Sequence, residues 1–103
     1  MTADNEFPAP SPHPLRREAG DWLKRRRRAA GLTQRQLAVR LGLDYYTFIS
    51  QIEGGRARVP SALYAAWAAA LGVSAADFAK KMLECYDPDT YRALGLSPGD
   101  LIS

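Results

Sequence analysis

The 103-residue chain holds a single cysteine, Cys85, and a single histidine, His13. One cysteine excludes an intramolecular disulfide, so packing must hold the fold, and nothing points to an oxidising compartment. A lone histidine with no second His or Cys beside it offers no metal-ligand cluster, and no metal or other cofactor is expected. No run approaches the roughly 18 apolar residues of a membrane span, and the first fourteen residues lack the apolar core of a secretory signal. A cytoplasmic protein without a membrane partner is therefore expected. Val/Ile/Thr alternation of strand length is missing too, which leaves an all-α class. Finally, the chain lacks a nucleophile with a matching base, paired carboxylates in one segment and a phosphate-cradling glycine loop, so an enzyme is not expected.

What the chain does have is basic charge, and it is unevenly placed. Residues 16–58 carry eleven Lys/Arg against four acids, Glu18, Asp21, Asp44 and Glu53, whereas the segments on either side are each net acidic. Such a concentration is the electrostatic footprint of a polyanion binder, with a merely solvated basic helix as the plainer alternative. The run KRRRR at 24–28 has the composition of a targeting signal, but it lies inside a helical pattern. With 47% apolar residues the chain can bury one core, and a second domain does not fit.

Prolines at 8, 10, 12 and 14 forbid a helix, so residues 1–14 read as a disordered arm. From Gly20 onward the pattern is one of short helices with explicit stops. The first spans about 21–30 and ends at Gly31. Thr33 with Gln36 three positions on forms a capping box that opens a second helix, which Gly42 ends. Asp44 is the expected N-cap of a third. There Tyr45, Phe48, Ile49 and Ile52 share one side at helical spacing, while Tyr46, Thr47, Ser50 and Gln51 share the other. That second side contains no Lys or Glu; its groups are short or semi-rigid and form hydrogen bonds in defined directions, as a reading surface requires. A fourth helix follows at about 61–71. A fifth, with Phe78, Met82, Cys85 and Tyr86 on one face, is opened by Ser74 and Asp77. Asp87-Pro88 closes it and leads to a short turn through Leu94. Trp22 and Trp67 are expected in the core or an interface rather than as stacking platforms for bases, and Cys85 as a small buried hydrophobe.

Two short helices joined by a glycine turn, the second presenting a hydrogen-bonding face, make the helix-turn-helix arrangement. The segment GLTQRQLAVRLGLDYYTFISQIEGG, followed by RARVP and ALGVS, is similar to the lambda-repressor-like (Xre/Cro-type) helix-turn-helix family over about residues 20–78. The resemblance implies a five-helix DNA-binding domain over 15–86 with a short helical extension over 87–103. It also implies a bacterial or phage-encoded, dimeric repressor that reads an inverted repeat in double-stranded DNA. Carried over by position, Tyr46, Thr47, Ser50 and Gln51 become base-reading residues, with Gln51 suited to the adenine edge. Gln34, Arg35, Arg40, Tyr45, Arg56 and Arg58 become phosphate contacts. Arg27 and Glu53 become an internal salt bridge rather than a catalytic feature. Nine residues separate Gly42 from Ile52, one more than is common in the family, so either the turn is longer or the third helix begins one residue early. Arg26 stands where the family usually has a leucine, so either it snorkels to the rim or the packing there differs.

The apolar residues from Phe78 onward, Met82, Tyr86, Tyr91, Leu94, Leu96, Leu101 and Ile102, exceed what one short helix can hide, which suggests a homodimer interface. Two rivals stand beside the repressor. One is the antitoxin of a toxin-antitoxin pair that also binds its own operator; the other is an RNA-binding or bridging adaptor that uses the basic face without reading duplex sequence.

Overall fold

The computed structural model describes residues 14–96, and among these every regular element is a helix. In chain order they are α1 (Pro14–Ala29), α2 (Gln34–Leu41), α3 (Thr47–Glu53), a single 3-10 turn (Ser61–Leu63), α4 (Tyr64–Leu71), α5 (Ala75–Tyr86) and α6 (Pro88–Ala93). The expected disordered arm falls, apart from Pro14, outside the described residues.

α1 begins at Pro14, seven residues ahead of the sequence expectation of Asp21. Proline is a breaker inside a helix but is tolerated at its first position, where no N–H is needed. The added turns have something to cover: Leu15 and Arg16 line a shallow hollow with Cys85, Tyr86 and Pro88 at the end of α5. Ala19, Trp22 and Leu23 then continue the same buried face. α2 opens on the complete capping box, with Gln36 N–H donating to Thr33 Oγ1 at 3.0 Å and Thr33 N–H donating to Gln36 Oε1 at 2.8 Å. Two further starts follow the same local logic. Ser74 Oγ accepts from Asp77 N–H at 3.0 Å ahead of α5, and Asp87 Oδ1 accepts from Thr90 N–H at 3.2 Å ahead of α6.

α3 departs from expectation. Asp44 does not cap it; the helix starts at Thr47, and Tyr46 precedes it without any side-chain cap. The extra residue lengthens the turn. Tyr45, expected on the apolar side, is consequently 76% exposed, while Ile49 and Ile52 are fully buried. With no local cap, α3 is placed by burying these isoleucines.

The core gathers on Phe78, whose ring lies 5.6 Å from Tyr64, 5.9 Å from Trp22 and 6.5 Å from Trp67, centroid to centroid. Such tilted contacts favour the ring quadrupoles as well as burying area. Both tryptophans are core residues, and Cys85 is buried with them. The fold itself takes up Phe78, Met82 and Tyr91, three of the residues expected to leave an apolar surplus. Of that set Leu94 is the one large side chain well exposed among the described residues; Leu101 and Ile102 lie outside them.

At Gly20, α1 passes tightly against the end of α3. A Cβ added at Gly20 would stand 2.3 Å from the carbonyl oxygen of Glu53 and 2.7 Å from that of Ile52. Gly20→Ala is expected to destabilise the protein by about 1–3 kcal/mol, because the atoms in the way are backbone and must move as a unit; urea unfolding measures it, and unchanged stability would refute the packing described. Burial pushes the Cys85 thiol up to about 11, from an ordinary value of 9.0. The unfolded chain therefore releases this proton first, so stability contributed by the protonated thiol is present below pH 9 and is lost as pH rises through 11. Urea unfolding across that window should show a decline that is shallower in Cys85→Ala.

Candidate nucleic-acid interface

Arg27 and Glu53 form a buried, two-pronged ion pair, with Nε to Oε2 at 2.7 Å and Nη2 to Oε1 at 3.1 Å. The remaining arms reach further. Arg27 Nη1 donates to the Leu32 carbonyl at 2.8 Å, and Gln34 Nε2 donates to Glu53 Oε1 at 3.0 Å. One carboxylate thus joins α1, the start of α2 and the end of α3. Charge-assisted, forked hydrogen bonds of this kind fix direction as well as distance, so the network sets how α2 and α3 stand relative to each other.

Thr47, Ser50 and Gln51 lie along the exposed side of α3, opposite Ile49 and Ile52. The helix ends at the paired glycines. Gly55 takes φ 80°, a left-handed conformation that a side chain would oppose, and Arg56 N–H donates to the Gln51 carbonyl at 2.9 Å. This turn brings the exposed side chains of Arg56 and Arg58 to the end of α3. At the other end the Arg35 guanidinium lies 4.7 Å from the Tyr46 ring centroid.

α2, its glycine turn and α3 therefore make two consecutive helices that present one exposed polar face, edged by arginines. A family model described as a helix-turn-helix domain matches residues 18–80, more than half the chain. The chain belongs to the helix-turn-helix domain family. No curated protein matches it. In a helix-turn-helix domain the second helix of the pair enters the DNA major groove.

The helix-turn-helix framework gathers most of the residues singled out from sequence and leaves two in different circumstances. Gln34, Arg35 and Tyr46 share an open hollow with Arg27, Leu32 and Thr33. The Gln34 side-chain amide donates one N–H to Glu53, which leaves its second amide N–H and its backbone N–H at the start of α2 as donors for an outside acceptor. Arg40 stands apart, lining a separate hollow with Leu32, Gln36 and Val39. Arg26 is half-buried, with its guanidinium 6.0 Å from the Trp22 ring.

Tyr86 was legible as part of an apolar face, but its second role was not. Its hydroxyl accepts from Val59 N–H at 3.2 Å, and the Arg58 guanidinium lies 4.7 Å from its ring centroid. The loop that carries the arginines is thereby tied to the end of α5. Nothing local in the sequence links positions 27 residues apart. Among the described residues no group of three or more His, Cys, Asp or Glu is placed to hold a metal ion, and no helix is long and apolar enough to cross a membrane.

Removing one member of the buried pair strands the other. Glu53→Ala is expected to lose about 3–5 kcal/mol of stability, while the double variant Arg27→Met/Glu53→Leu, which leaves no lone charge, recovers part of that loss. Urea unfolding of the three proteins decides the matter: equal stability of Glu53→Ala and the parent would show that the pair is not a structural anchor.

Proposed function

We propose that the chain is a sequence-specific double-stranded DNA-binding regulator of the lambda-repressor-like (Xre/Cro) type, a cytoplasmic homodimer that represses transcription from an inverted repeat. α3 enters the major groove, Thr47, Ser50 and Gln51 meet base edges, and Arg35, Arg56 and Arg58 neutralise backbone phosphates. The observation that carries this reading is the exposed face of α3. Among the described residues its Thr, Ser and Gln side chains take part in no hydrogen bond, although each can donate and accept in a defined direction. Groups of this kind on a helix that fits the major groove discriminate bases, while the arginines around them add affinity that is blind to sequence.

Dimerisation rests on a separate argument. One short recognition helix reads only a few base pairs, and two half-sites about one DNA turn apart supply the remainder. Leu94, exposed at the end of α6, is the described residue of the C-terminal apolar set that remains free to take part in such an interface.

Selection of bound duplexes from a random DNA pool at physiological salt tests the reading. An enriched inverted repeat is the expected outcome; a single half-site would overturn the dimer, and no enriched motif would overturn sequence reading and favour a protein or RNA partner. On the selected duplex Gln51→Ala should weaken one base preference by about 1–3 kcal/mol, whereas Arg56→Ala should weaken all sequences alike and lower the salt slope by about one.

A further inference from the structure

Both ends of α3 carry the same arrangement. Arg35, at the second position of α2, stands over Tyr46, the residue before α3; Arg58, in the loop after α3, stands over Tyr86 at the end of α5. Each guanidinium is 4.7 Å from its ring centroid, close enough for the ring face to attract the cation. Neither arginine has a carboxylate within ion-pair distance among the described residues. A ring face holds a cation without consuming an N–H, so all the donors of both guanidinium groups remain available to an outside acceptor. A carboxylate in the same place would have neutralised the charge and used the fork.

We propose that Tyr46 and Tyr86 are positioning residues, each holding an arginine so that Arg35 and Arg58 meet backbone phosphates at the two ends of the reading helix. The inference rests on the DNA-binding reading above and deepens it. Arginine has a long flexible side chain, and ordering it on a phosphate costs conformational entropy. A ring beneath the guanidinium orders it when the protein folds, so less freedom is lost on binding. The two platforms differ in how they are themselves secured. Tyr86 is anchored through its hydroxyl to the Val59 N–H and packs against the core, whereas Tyr46 is held by its place at the head of α3. Tyr46 thus acts on DNA through Arg35, and the base-reading group is reduced to Thr47, Ser50 and Gln51.

The test uses the full chain and a duplex of mixed sequence, because phosphate contacts need no operator. Arg35→Ala and Arg58→Ala should each lower the salt slope of binding by about one. Tyr46→Leu and Tyr86→Leu should each weaken binding about two- to fivefold. Tyr46→Phe, which keeps the ring, should bind as the parent does. In the matching Arg→Ala background each Tyr→Leu change should have no further effect, since the ring would have nothing left to position. Equal loss in both backgrounds, or no loss in either, would overturn the platform role while leaving the arginine contacts intact. An unchanged salt slope in both Arg→Ala proteins would overturn the phosphate reading of those arginines and the platforms with it. Thermal melts accompany each variant, and if Tyr86→Leu does not fold, the surface pair Arg35–Tyr46 decides the outcome.

Discussion

The ion pair between Arg27 and Glu53 is the constraint on which the rest depends. It is buried and forked, and both partners have further obligations: the arginine to the carbonyl of Leu32, the carboxylate to the amide of Gln34. Buried pairs are weak as a source of net stability, since desolvating the charges offsets most of their attraction. Their value here is directional. A hydrophobic contact between α1 and α3 would tolerate rotation of either helix, whereas two parallel N–H to O bonds do not. The polar face of α3 is aimed by a group on its opposite side.

Around this pair the molecule divides its work. Phe78 and the aromatic rings about it hold α1, α4 and α5 together, and Gly20 lets α1 approach the last turn of α3 more closely than any side chain would allow. The result is a short α3 with no side-chain cap of its own, supported from behind by its buried isoleucines. A seven-residue helix is marginal in isolation, because nucleation costs more than so few hydrogen bonds return. Tertiary packing therefore decides where it begins.

That explains which parts of the structure were legible in the sequence. The starts of α2 and α5 are specified by residues three apart, Thr33 with Gln36 and Ser74 with Asp77, so a local reading finds them, whereas the helix that Asp87 caps through Thr90 reads from sequence only as a short turn after Asp87-Pro88. The polar stripe on α3 was legible for the same reason, as composition at helical spacing. The start of α1 was misread because Pro14 stops a helix in most positions and begins one in this position. Asp44 was misread as a cap because it has the right chemistry in the wrong place: α3 waits for Ile49 and Ile52 to reach the core. The rings under Arg35 and Arg58 could not be read at all, since each pairs residues on different elements.

The exposed side of α3 has a consequence for how such a protein changes over time. Thr47, Ser50 and Gln51 share a helix with Ile49, Ile52 and Glu53, yet the two sets have no obligation in common. On the proposed reading, replacing the first set changes the groups offered to DNA and leaves the buried set untouched. The proposed recognition and the foldability thus fall to different residues of one seven-residue helix. A lineage can drift through many target preferences without passing through unfolded intermediates.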